Sequence, residues 1–410
     1  MKLTSSRRQF LLANLGLVAA SGMGLLPFQS MAEGEAKKFF LLIRLQGGWD
    51  VTLGPDPWTE ERRPSESDMF VEYRHDELLN VGGVFLGPSC APLVPYAGEL
   101  SVINGILLSS SDNGHTAAMD YISSGNGQGK APDLPVELHV ASGETPYGIL
   151  STSRLNLAGR RTNYVRASDI LAARNQPDPA DALEGVVQDP RTPLERAVDE
   201  VLDTRETTLV LRQQLQEFAR QGALSDEHVA AACFLSGACE QAEIDYFRLN
   251  LDTHGSHERN HLNELRKGFD YVASIFRLFK NLPFGEGSLF DHTTFMIVSE
   301  FARTPALNGS KGKDHNPMTN SVILAGAGIR GGVTVNRSLL IEAARSRSGA
   351  SYHMASPFDF ATGRPAESRE GAKFIYPENV AITVANAVGA DLSKFRSVPV
   401  GTAPLAAILR

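Results

Sequence analysis

Cysteine is scarce. Cys90, Cys233 and Cys239 are the only three in 410 residues, which excludes a scaffold built on disulfides. Cys233 and Cys239 lack zinc-ribbon spacing and read as two buried thiols, with a disulfide between them as the alternative in an oxidising compartment. Long apolar runs are missing beyond residue 32, where nothing approaches the roughly 18 uninterrupted apolar residues of a membrane helix. The mature chain is therefore expected to be soluble. No internal repeat or low-complexity tract is present, so a solenoid is excluded. Positive charge is also in deficit: the formal net charge is −8, and Lys2, Arg7 and Arg8 are the only charged residues before Glu33. General attraction to nucleic acid or anionic lipid is disfavoured, and no nucleic-acid partner is expected.

What remains is a composition of 42% apolar and 21% charged residues, that of a globular protein with a sizeable core. The first 32 residues stand apart. Ser6-Arg7-Arg8-Gln9-Phe10-Leu11 precedes a moderately apolar stretch from Leu11 to Leu26, and Ser30-Met31-Ala32 has the small-x-small pattern of a cleavage site. This segment resembles a twin-arginine export signal. The resemblance implies passage of a folded chain through the twin-arginine translocation machinery, cleavage near Ala32 and a periplasmic or otherwise exported product.

Phe39-Phe40-Leu41-Leu42-Ile43-Arg44-Leu45 is a nearly continuous apolar run ending at Gln46-Gly47-Gly48, the pattern of a buried parallel strand. A second run, Leu100 to Ile106, leads through a polar turn to a helix starting at His115 and stopping at Gly125. A long polar helix is predicted from about Pro193 to Gln221 within a mainly helical insertion at about 176–250. An amphipathic helix from about Ser256 to Leu282 carries Leu262, Leu265, Phe269, Val272, Phe276 and Phe279 on one face, which should lie on the sheet. Strands are predicted at Thr293–Val298 and Ser321–Ala325, and a closing helix at 378–389.

Two short motifs invite familiar functions. Gly326-Ala327-Gly328-Ile329-Arg330-Gly331 has dinucleotide-loop spacing, but Gly332-Val333-Thr334-Val335 follows instead of a helix, so a tight turn is expected. His257-Glu258-Arg259-Asn260-His261 satisfies H-E-x-x-H, yet no third ligand follows at metalloprotease spacing. Solvated helix residues, or ligands of another kind, are the expectation there.

Acids and imidazoles gather at predicted strand ends. Asp50 follows the first strand, Asp252 and His254 follow Phe247 to Leu251, Glu300 ends a strand, and Asp314 and His315 precede one. In a parallel sheet such groups converge on one edge, and carboxylates with a few histidines suit divalent metals.

Leu45-Gln46-Gly47-Gly48-Trp49-Asp50, Asp252-Thr253-His254, Ser299-Glu300-Phe301-Ala302-Arg303-Thr304-Pro305, Gly312-Lys313-Asp314-His315-Asn316 and Gly326 to Gly332 together resemble the DUF1501 family. That resemblance implies an alkaline phosphatase-like α/β fold over 33–410, a mostly parallel central sheet flanked by helices. It implies metal ligands Asp50, Asp252, His254, Glu300, Asp314 and His315, with His257 as an alternative to His254. Zinc is the first choice of ion, and calcium, magnesium or manganese are alternatives. One ion would lie on Asp252, His254 and His315, the other on Asp50 and Glu300 with help from His115. Phe301 takes the place of a further histidine, and Gly114-His115 replaces Ser-His, leaving Thr116 as the nearest nucleophile. Arg303 is expected to grip ester oxygens. The function so implied is metal-dependent hydrolysis of phosphate or sulfate esters, of small molecules or glycans. The alternative is a non-catalytic envelope protein with a degenerate metal site that binds a glycan or a protein partner.

Overall fold

Residues Phe39–Leu45 form strand β1, buried along its whole length, with Phe39, Leu41, Ile43 and Leu45 in one apolar cluster and Phe40 and Leu42 in another. That alternation is the period of two of a strand covered on both faces. The computed structural model describes residues 38–58, 71, 73–109, 114–127, 131–143, 145–153, 155–173, 193–346, 349–366 and 373–410, without the side chains of 193–204, 258–259 and 342–345. The expected export signal lies outside the described residues, as does the start of the expected insertion. Among the described residues no helix is long and apolar enough to cross a membrane.

The remaining strands of the main sheet are β2 (Leu100–Ile103), β3 (Ile149–Ser151), β4 (Tyr164–Arg166), β5 (Gln241–Tyr246), β6 (Thr293–Val298), β7 (Val322–Gly326) and β8 (Val333–Val335). Their spatial order is β8-β2-β7-β6-β1-β5-β3-β4. Pairs β1–β6, β1–β5, β5–β3, β3–β4 and β2–β8 are parallel, whereas β7 runs antiparallel to both β6 and β2. Among the described strands β7 alone is reversed, and the expected α/β class with a mostly parallel sheet is what the chain adopts.

Helices cover both faces. The long amphipathic helix, Glu258–Asn281, sends Leu265, Phe269, Val272, Phe276 and Phe279 into the first cluster. On the other face, helix α1 (His115–Ser124) contributes Ala118 and Ile122, and the closing helix Pro377–Val388 contributes Val380, Val384 and Ala385. Helix α1 stops where expected, because Gly125 adopts a left-handed φ of +68° and its N–H returns to the Tyr121 carbonyl. The polar helix Pro193–Gln221 has the expected bounds. Ala327-Gly328 forms a turn directly after β7 and leads on to β8 without a helix, as the β-forming sequel indicates.

The insertion is shorter than the sequence suggested. Gln241–Tyr246 is no part of a helical cap; it is β5, paired along β1 in the centre of the sheet. Glu243 and Asp245 disguise it, since a buried parallel strand rarely carries acids, and here both face Arg44 of β1. Phe247 to Leu251, expected as the strand before Asp252, is the loop leaving β5.

Candidate metal centre

The parallel strands β1, β5 and β6 end at one edge, and their following loops carry Gln46-Gly47-Gly48, Asp252 and Glu300. His315 precedes a strand instead of following one. It still reaches the same edge, because β7 is antiparallel and therefore starts where its neighbours finish. Gly312 allows the close approach that brings the 312–315 loop onto the His254 backbone; a Cβ there would collide with the His254 carbonyl.

Asp252 is the hub. Its Oδ1 lies 3.2 Å from His254 Nε2, 3.4 Å from His315 Nε2 and 3.5 Å from His115 Nε2. His254 Nε2 and His315 Nε2 stand only 2.9 Å apart. Two ring nitrogens that close need a proton or a cation between them, since facing lone pairs repel. Ligand atoms at about 2.0–2.1 Å from a tetrahedral zinc lie about 3.3 Å from each other, close to these separations. His115, Asp252 and His315 are the group among the described residues whose ligand atoms converge within 4.8 Å. The donor set therefore fits a divalent ion of the zinc type.

Surrounding groups prepare these ligands. His115 Nδ1 is 2.6 Å from Glu300 Oε1, and its hydrogen bond to this carboxylate raises the imidazole pKa. A proton on Nδ1 turns the lone pair of Nε2 toward Asp252, the carboxylate–histidine arrangement that orients metal-binding imidazoles. Glu300 is itself buried and also accepts Gly47 N–H at 2.9 Å and the Ser299 hydroxyl at 2.9 Å. It thus lies behind His115 with both oxygens engaged. Asp314 likewise lies behind His254, 3.6 Å from its Nδ1, with Asn308 and Ser346 on its two oxygens. Phe301, fully buried, packs its ring against His115 and His315 at 4.9 and 4.3 Å.

Arg303 does not face a substrate: it is fully buried, and its guanidinium donates to the carbonyls of Gly47, Gly48 and Lys313 and, at 2.6 Å, to Asp252 Oδ1. It positions Asp252, and although burial works in the opposite direction, the Arg303 hydrogen bond and charge hold this carboxyl at about 2.

Asp50 is not brought to the cluster either. It is fully buried, with Lys313 Nζ 2.5 Å and His257 Nε2 3.0 Å from its Oδ2, while Thr52 donates its N–H and hydroxyl to Oδ1. Burial alone would raise this carboxyl; Lys313 and His257 outweigh it and hold Asp50 well below the usual carboxylate range.

The H-E-x-x-H histidines belong to the same buried network and are not solvated. The Asp50 N–H donates to His261 Nε2 at 2.8 Å, so the neutral His261 ring carries its proton on Nδ1 and donates to Thr253 Oγ1 at 2.9 Å. The Thr253 hydroxyl donates to His257 Nδ1 at 2.7 Å, and His257 Nε2–H returns to Asp50. This closed ring of hydrogen bonds uses every imidazole lone pair. Desolvation lowers the His257 pKa to about 4 and holds that of His261 well below its ordinary value, which keeps both rings neutral. Neither is left to bind a metal, and the Glu258 side chain lies outside the described ones. His254, not His257, is the partner brought to Asp252.

Lys313 is the counter-ion of this network. Lys313→Ala is expected to lower unfolding stability by about 3–5 kcal/mol in urea denaturation, because it strands a buried carboxylate. The double variant Asp50→Asn/Lys313→Ala should recover part of that loss.

The family model for "protein of unknown function (DUF1501)" matches residues 135–345, the stretch that carries Asp252, His254, Glu300 and His315. The chain belongs to the DUF1501 family. No curated protein matches the sequence. Among solved structures, the chain is similar to the lipoteichoic acid synthase LtaP from Listeria monocytogenes at 9% identity, covering 80% of this chain and 74% of that one with a TM-score of 0.32. It is similar to the C-terminal periplasmic domain of EcEptC from Escherichia coli at 9% identity, 88% and 87% coverage and a TM-score of 0.35. A third, a protein in the alkaline phosphatase superfamily from Vibrio parahaemolyticus, has 10% identity, 87% coverage of each chain and a TM-score of 0.33.

Arg44, Gln46, Lys313 and Asp245 were missed as members of this region. A usable signal existed for one of them: Arg44 is the lone charge in an otherwise apolar strand, and a buried arginine calls for buried acids.

Proposed function

We propose that this DUF1501 chain is an exported, metal-dependent hydrolase of phosphate or sulfate esters, with an alkaline phosphatase-like site at the carboxyl edge of its sheet. The observation that carries the reading is the convergence of three imidazole Nε2 atoms on one anionic oxygen, Asp252 Oδ1. Asp252, His315, His254 and His115 would hold the ion, backed by Arg303 and Glu300. A bound divalent ion would supply Lewis-acid polarisation of the ester and a lowered pKa for a bound hydroxyl or water.

The chain's own residues arrange the rest. Thr116, exposed in the first turn of α1, borders the same cleft of about 590 Å3 as His115 and Asp252. Its hydroxyl would attack phosphorus or sulfur as the ester oxygen departs with a proton, and water would then cleave the Thr116 ester and restore the hydroxyl. Glu300 holds the His115 ring in place throughout. Because Asp50 is saturated by Lys313, Thr52 and His257, the site is read as taking one ion where the family resemblance implied two.

Zinc- or manganese-loaded protein is expected to turn over aryl phosphate or aryl sulfate esters, and Thr116→Val to reduce that turnover by about 100-fold or more. Absence of turnover across a panel of such esters with every metal would overturn hydrolysis and favour a binding role. The signal-like segment predicts cleavage near Ala32, read by N-terminal mass spectrometry of protein recovered from the periplasm.

A further inference from the structure

The cleft that contains His115 and Asp252 is also lined by Asp120, Asp245 and Phe247. Its charge balance is unusual for a site that would take an anionic ester. Among the described residues Arg44 is its one lining Arg or Lys, and that side chain is buried and already shared between Asp133 at 3.3 Å and Glu243 at 3.4 Å. The Arg44 charge offsets only part of the burial of Asp245, its neighbour across the strand pair. Only 4% of Asp245 is exposed; Gln46 Nε2 donates to Oδ2 at 2.6 Å, and Oδ1 is buried with no hydrogen-bond partner. A buried carboxylate oxygen without a donor is costly, so a group from outside the chain has something to satisfy. Phe247, in the loop directly after β5, is 60% exposed and borders the same cleft.

Acids with no free cation among the described lining residues, next to an exposed aromatic face, match one ligand chemistry. Beside Asp120 and Asp245, away from the ion-binding histidines, an oxyanion would meet like charge. A second metal ion lacks a converging donor set, since no further group of three ligand atoms comes together among the described residues. An ammonium group would meet a carboxylate oxygen with no other partner and an aromatic quadrupole.

We propose that this cleft is a binding subsite for an alkylammonium group, with Asp245 and Asp120 as its counter-charges and Phe247 as its aromatic wall. It goes beyond ester hydrolysis and does not require it. Burial, with Glu243 and Glu300 nearby and Arg44 only partly offsetting them, pushes Asp245 up to about 7, and burial beside Asp133 raises Asp120; a bound cation would relieve both.

Titration of the metal-free and the zinc-loaded protein with tetramethylammonium at about pH 8, followed by proton NMR, tests this without turnover, so its failure is distinct from failure of the hydrolase reading. Saturable binding is expected in both forms, and none of the uncharged isostere tert-butanol. Asp245→Asn should weaken binding about tenfold or more, and Phe247→Ala by about two- to fivefold. The Asn variant removes a repelled buried charge and should keep the native circular dichroism spectrum. Absence of saturable binding, equal binding of tert-butanol, or undiminished affinity in a folded Asp245→Asn variant would overturn the proposal.

Discussion

Asp252→Ala and His315→Ala are each expected to abolish retention of a divalent ion while leaving the fold in place. Asp252 is the common neighbour of three imidazoles, so its loss removes the one anionic ligand atom together with the contact that gathers the others. Elemental analysis after zinc reconstitution should give one ion per chain for the parent and none for the variants. Thermal melts should agree. Ligand at about a thousand times its Kd stabilises the native state by about 4 kcal/mol, so chelation should lower the melting temperature of the parent and leave both variants unmoved.

Glu300→Gln probes the group behind His115: it keeps the shape, loses the charge, and should weaken metal affinity by about 10- to 100-fold. His261→Ala discriminates against the metalloprotease reading. It opens the buried hydrogen-bond ring, so it should destabilise the fold without selective loss of the ion. Retention of zinc by His315→Ala together with its selective release by a folded His261→Ala would refute the assignment.

Acid should unfold this protein earlier than its surface carboxylates alone would require. Desolvation holds His257 and His353 at about 4, against 6.5 in the unfolded chain, and holds His261 well below its ordinary value. Between these values the unfolded state binds more protons at these sites, so each ring contributes stability that is complete above pH 6.5 and is lost as pH falls toward the folded value. Asp245 acts in the opposite sense. Its folded pKa of about 7 lies above the ordinary 3.8, so the native state takes up that proton first and gains as pH falls.

At pH 5 His257 and His353 together outweigh Asp245 by about one proton, and His261 acts in the same direction as the other two rings. His257, His353 and Asp245 together should therefore lower stability by about 1 kcal/mol per pH unit there, and by about 2 kcal/mol between pH 6.5 and 4.5. Urea midpoints across that range measure it directly. Asp245→Asn should steepen the decline and His353→Gln should flatten it, each by roughly one proton, about 1 kcal/mol per pH unit. A midpoint that stays level from pH 7 to 4.5 would contradict the buried neutral histidines.

Much of the frame is local information. Phe39–Leu45 and Thr293–Val298 are strands because uninterrupted apolar runs of that length bury both faces, and the 3-4 spacing from Leu262 to Phe279 makes a helix with one apolar side. Gly125 ends α1 through its own left-handed backbone. The clustering of Asp252, His254, Glu300 and His315 was also legible, because each lies beside a strand end in the chain. Pairing and direction were not. Whether His315, which precedes its strand, joins groups that follow theirs depends on the reversal of β7, and strand direction is set by neighbours far away in sequence. Asp50, Arg303 and the H-E-x-x-H pair have the residue types of a site and sit next to it, yet in the fold they support it from within the core. Their roles follow from burial and from which oxygen or nitrogen each donor reaches, and Lys313 reaches Asp50 across 263 residues. Residue type and spacing determined which side chains could do chemistry; the tertiary structure decided which of them face the cleft and which hold it up, because desolvation and hydrogen-bond geometry exist only once the chain has closed around them.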